Sequence, residues 1–142
     1  TLERDVITRE DINQICTTQI SNQIFAMIDA MAEKKMKKAL DLYYDLLALK
    51  VSPLQILAML SRQYNLMLQV KELKKRGTSD RDVASKIGVP PFVVSKYLSQ
   101  AAQYKSQELR MALEQCAEAD MAVKTGRMND KMSVELIILG AR

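Results

Sequence analysis

From Ser52 to Gly77 the chain reads SPLQILAMLSRQYNLMLQVKELKKRG, an unbroken helical signal with too little polarity to stand alone in water. Ser52 is a capping residue, Pro53 suits the first helical position, and Gly77 suits the position just past the end. Between them lie Leu54, Ile56, Leu57, Ala58, Met59, Leu60, Tyr64, Leu66, Met67, Leu68, Val70 and Leu73, more than one helix face can hold. The polar remainder is narrow. Gln55, Arg62, Asn65, Gln69, Glu72 and Arg76, with Ala58 filling the gap, recur at alternating steps of three and four and line up as one seam. A helix apolar over most of its circumference must be wrapped by other helices. At about 1.5 Å of rise per residue, it is a rod of roughly 36 Å.

The other segments read as its packing partners. Thr8-Arg9-Glu10-Asp11 has the shape of a capping box with Asp in place of Glu, and Ile12 and Ile15 extend a short helix to about Thr17. Ile20, Ile24, Met27, Ile28 and Met31 place a second helix up to Glu33, with Lys34 and Lys35 at the turn. A third runs from Met36 to about Lys50, its inner side formed by Met36, Ala39, Leu40, Tyr43, Leu46 and Leu47. Beyond Gly77, Ser79 caps a short helix that carries Val83, Ala84 and Ile87 and stops at Gly88. Pro91 starts the next, which continues to about Tyr104. Ser106 is read as the cap of a long helix to Thr125, with Leu109, Leu113, Cys116, Asp120 and Val123 inward, and a last element spans about Asp130 to Ala141. No segment alternates as a strand does. The expected class is therefore all-α, a bundle of about seven or eight helices around the long central one, with a helix-turn-helix-like corner.

At 142 residues the chain is long enough for one domain with a real core, and its 48% hydrophobic content rules against disorder. No apolar run reaches membrane-spanning length and no signal peptide is visible, so no membrane partner is expected. Cys16 and Cys116 have neither metal-ligand nor disulfide spacing and read as small core residues, which fits a reducing cytoplasm. The absence of His removes the commonest general base and metal ligand. The net charge of +4 is modest and spread out. The chain opens on Thr1 rather than Met, as a piece of something longer would.

Ala84, Gly88 and Val94 have helix-turn-helix spacing: a small residue where two helices cross, a turn, and a filler for the angle between them. As a DNA reader the pattern is weak, because Pro91, Phe92 and Val93 stand where base edges would be read and offer no hydrogen bonds. As an architectural corner it is complete. The basic groups Lys34, Lys35, Lys37, Lys38 and Lys71, Lys74, Lys75, Arg76 could touch phosphates, but the second also suits a helix C-terminus electrostatically. Asp120 and Glu135 lie in apolar rows. Structural ion pairs, Asp120 with Lys124 and Glu135 with Arg127, Lys124 or a helix end, account for them better than a shared catalytic site without His. Methionine, at nine residues, reads as flexible core filler. The seam residues Gln55, Arg62, Asn65 and Gln69, with Gln63 beside them, either meet water or form a subunit interface with Arg62 as anchor.

With these pieces placed, the chain resembles the C-terminal part of the delta subunits of the bacterial DNA polymerase III clamp loader. The likeness is carried by Ile24-Phe25-Ala26-Met27-Ile28-Asp29-Ala30, Lys38-Ala39-Leu40, Ile56-Leu57-Ala58-Met59-Leu60-Ser61-Arg62-Gln63, Val70-Lys71-Glu72-Leu73, the Val83 to Pro91 corner, Asp120-Met121-Ala122-Val123-Lys124-Thr125-Gly126 and Glu135-Leu136. It lies in order and spacing over nearly the whole chain, not in one signature. The resemblance implies an inactive relative of AAA+ ATPases: residues 1–20 as the tail of a lid domain and 21–142 as a helical collar. It implies the clamp-loader ATPase (gamma/tau) and delta-prime subunits as partners, and clamp loading at primed DNA as the task of the complex. The sliding clamp would be gripped only through an N-terminal domain that these residues lack, and DNA contact would be indirect or weak. No glycine-rich phosphate loop is present, so no cofactor and no catalysis are expected of this piece. The competing reading is a helix-turn-helix transcription regulator, which requires the Pro91 to Leu98 helix to project from the body with basic residues beside it.

Overall fold

The computed structural model describes residues 19–140. The first described helix, α1, covers residues 19–32. It is followed by α2 (Met36–Ala48), α3 (Pro53–Lys75), α4 (Asp80–Ile87), α5 (Pro91–Ala101), α6 (Ser106–Lys124) and α7 (Asp130–Ile138). Among the described residues there are seven helices and no strand, as the periodicity predicts. The expected short helix ending near Thr17 lies outside the described residues, as does Cys16.

Helix α3 begins and ends where its sequence says. The Ser52 hydroxyl accepts from the Gln55 amide at 3.1 Å, and Pro53 occupies the first turn. At the other end Gly77 takes φ +79°, and the Thr78 amide turns back to the Leu73 carbonyl at 3.1 Å. A side chain at Gly77 would be strained there, because the left-handed region crowds Cβ. Helices α1 and α2 close in the same way on Lys34 (φ 62°) and Lys50 (φ 66°), without glycine. Ser106 differs from expectation. It is the first residue of α6 and not its cap, since the turn is made at Lys105, whose amide donates to Glu108 Oε1 at 2.8 Å.

Helix α3 packs against α6 and α5 and also touches α4 and α7. Ile56, Leu57, Leu60, Tyr64 and Met67 are sealed in a main core shared with α1 (Ile24, Met27, Ile28), α2 (Ala39, Tyr43, Leu46), α6 (Leu109, Cys116) and α7 (Val134, Ile138). One turn further on, Val70 enters a second, smaller core with Val83, Ala84 and Val94. The α4–α5 corner thus has the predicted build: Ala84 and Val94 are buried where the helices meet, and Gly88 turns at φ +76°. Helix α2 is fastened to α7 by adjacent tyrosines, Tyr43 donating to the Lys131 carbonyl at 3.0 Å and Tyr44 to Glu135 Oε2 at 2.7 Å.

Two measurements test this packing. Leu60 is fully buried, so Leu60→Ala should lower the unfolding free energy in urea by about 2–5 kcal/mol, whereas Gln69→Ala on the exposed side should change it by less than about 0.5 kcal/mol. Burial raises the Tyr104 hydroxyl from 10.0 to about 12 and the Cys116 thiol from 9.0 to about 12. Both groups favour the neutral form in the fold, so their stabilisation is complete below the unfolded-state values and disappears as pH rises through the folded ones. The urea midpoint should therefore fall between pH 9 and about 12, and Cys116→Ala should move the start of that fall up toward 10.

Candidate subunit interface

Because α4, α5, α6 and α7 occupy the other sides of α3, the polar seam is what remains uncovered. Gln55, Ala58, Arg62, Asn65, Gln69 and Arg76 are exposed along it, and Glu72 is half-buried. Arg62 forms no ion pair among the described residues. The stripe is thus a polar, laterally open face on the most enclosed helix of the bundle.

Gln63 is placed differently from its neighbours. Its Nε2 donates to Gln100 Oε1 at 2.9 Å, and Gln100 Nε2 donates to the Phe25 carbonyl at 2.9 Å and to Asp29 Oδ1 at 3.0 Å. Gln103 Nε2 adds a second bond to the same Asp29 oxygen at 3.0 Å. Gln100 is 1% exposed, and a buried amide must find partners for both ends, so Gln63 serves an internal relay that ties α1 and α5 to α3. Sequence reading did not single out Gln100. The signal was present, since it falls three residues after Tyr97 and four before Tyr104, within an otherwise apolar row.

Asp120 and Lys124 meet at 2.8 Å across one helical turn, Lys124 exposed and Asp120 half-buried, and such a solvent-accessible pair is worth about 0–1 kcal/mol. Glu135 does not pair with Arg127. It accepts the Tyr44 hydroxyl instead, because its face of α7 is turned toward α2, while Arg127 Nε donates to Thr125 Oγ1 at 3.0 Å in the turn after α6. The bond to Glu135 raises the pKa of the Tyr44 hydroxyl. Asp120 and Glu135 therefore have separate partners and do not form one acidic site.

The basic groups are partly spent on structure. Lys71 Nζ donates to the carbonyls of Tyr104 at 2.7 Å and Ala101 at 3.2 Å, closing the C-terminal end of α5, and Lys74 pairs with Asp80 at 2.7 Å. Lys35 pairs with Glu33 at 2.9 Å. In the helix-turn-helix corner, Phe92 is 80% exposed and Lys96 Nζ lies 4.4 Å from the centre of the Phe25 ring. Helix α5 is held against the body by Val94, Gln100 and Ala101, so it does not project as a groove reader would.

A sequence model of the family described as DNA polymerase III delta subunit, C-terminal domain, matches residues 21–141. The chain belongs to that family. It is 32% identical over 137 residues to DNA polymerase III subunit delta of Bacillus subtilis (strain 168), a match covering 96% of this chain and 40% of that protein. A solved structure of the Bacillus subtilis DNA clamp loader delta protein superposes with a TM-score of 0.81 at 33% identity, over 86% of this chain and 36% of that one. The chain thus spans about two-fifths of the relatives it matches.

Within this delta domain the Gln100 relay is a structural requirement. Gln100→Ala strands the Gln63 amide and leaves Asp29 and the Phe25 carbonyl each without that donor, so urea unfolding should show a loss of about 1–3 kcal/mol with helix content retained.

Proposed function

We propose that this chain is the collar module of a clamp-loader delta subunit, joining other subunits laterally so that the complex can load the sliding clamp onto primed DNA during replication. The reading rests on family membership over residues 21–141 together with one physical observation, the uncovered polar side of α3. A helix enclosed on its other sides has one face left for a neighbour. Arg62 at its middle supplies the planar, multiply donating side chain that subunit contacts favour.

On this reading residues 1–20 are the end of a lid domain and residues 21–142 are the collar. The partners are the clamp-loader ATPase subunits (gamma/tau) and delta-prime. Contact with the sliding clamp is made by a separate N-terminal domain, DNA is met weakly or indirectly, and the setting is the cytoplasm. The module contributes position and not chemistry. Gln55, Asn65 and Gln69 serve as adaptable hydrogen-bonding groups around Arg62, while Gln63 supports the face from within.

No helix among the described residues is long and apolar enough to cross a membrane. The regulator reading gains nothing from α5, whose exposed start presents Pro91 and Phe92.

The test is association of the full-length subunit with purified clamp-loader ATPase subunits by analytical size exclusion and calorimetry. Wild type should form a stable complex, and Arg62→Glu should weaken it by about tenfold or more. Tight duplex DNA binding at physiological salt with no subunit association would overturn the reading.

A further inference from the structure

The seam does not end in a flat surface. At the C-terminal half of α3 it opens into a groove of about 450 Å³ between α3, α4 and α6. Leu68, Leu73 and Ile87 line it as half-buried aliphatic side chains. Arg76 and Lys86 stand exposed at its edge, and Arg110 reaches in to hold Glu72 at 2.6 Å. Three cations therefore face one carboxylate over an apolar floor, and two of the cations, Arg76 and Lys86, have no ion-pair partner among the described residues.

We propose that this groove receives a segment of a neighbouring clamp-loader subunit that carries an aliphatic anchor flanked by carboxylates. The inference rests on the assembly reading above and specifies what the partner must bring. The charge at the edge calls for anions, and the aliphatic floor calls for something apolar to cover it. Nucleic acid satisfies only the first demand. Phosphates would reach Arg76 and Lys86 but leave Leu68, Leu73 and Ile87 wet, and the lining offers no aromatic ring on which a base could stack. An acidic amphipathic segment satisfies both. Gln69, Glu72 and Arg76 belong to the seam and to the groove alike, so one partner lying along α3 meets the Arg62 stripe first and then this anchor site.

The proposal has a sign as well as a place. In the full-length subunit, Arg76→Glu combined with Lys86→Glu should weaken binding to the purified ATPase subunits by about tenfold or more and flatten its salt dependence. Glu72→Gln, which removes the opposing carboxylate, should tighten binding by about two- to threefold. Arg76 and Lys86 are exposed and Glu72 is half-buried, and unchanged thermal melts establish that each variant is folded. In the purified complex, a benzophenone side chain placed at Gln69 should crosslink to a partner peptide bearing at least one aliphatic residue and neighbouring Asp or Glu. Unchanged affinity on charge reversal, weaker binding of Glu72→Gln, or a crosslinked peptide without carboxylates would overturn the proposal. So would an effect confined to primed DNA added as a separate ligand. If wild type associates and Arg62→Glu disrupts it while the double reversal does not, the groove alone is refuted. If wild type fails to associate at all, the assembly reading falls and the groove with it.

Discussion

Enclosure of α3 is the constraint on which the rest depends. A helix with apolar residues round most of its circumference lowers its free energy only when other helices cover it, and no single partner can reach all its sides. The chain meets this by using α3 twice. Its first half is a wall of the main core, and its last turns, through Val70 and Leu73, support the smaller core under the α4–α5 corner. That second core explains why the corner is architecture. Val83, Ala84 and Val94 are committed to α3, and the polar end of α5 is committed to α1 through Gln100.

The same enclosure creates the open stripe. Where no neighbour packs, α3 carries Gln55, Arg62, Asn65 and Gln69, so the outer face of the spine is polar without being inert. Polar groups just inside the edge are used differently. Gln63 and Gln100 bond each other, Tyr104 donates to the Ile28 carbonyl at 3.0 Å, and Lys71 closes the end of α5. These contacts leave the bundle with a firm body behind an uncovered polar face. Family membership and the fold shared with a clamp loader delta protein place that design in the delta C-terminal domain family.

Much of this was legible in the linear pattern, and the exceptions have physical causes. Ser52, Pro53 and Gly77 mark α3 because capping and backbone chirality act within a few residues, and Ala84, Gly88 and Val94 mark the corner for the same reason. Ser106 misled because a capping residue type stood one position inside the turn, where Glu108 already satisfied the Lys105 amide. Glu135 misled because its partner, Tyr44, is 91 residues away, and the nearer cation at Arg127 is turned to Thr125. Gln63 borders the seam in the linear pattern, whereas the side of α3 on which it lies is closed by α5.

What the sequence determined by itself was the class of fold, the extent of α3, and the identity of its polar side, since all three follow from period and local chain geometry. What only the tertiary structure decided was which polar groups are spent holding helices together and which remain uncovered. The physical reason is range. A helix period is set by residues three and four apart, but Gln100, Lys71, Glu135 and the cationic edge of the α3–α4–α6 groove acquire their roles from helices distant in sequence, and no local pattern carries that information.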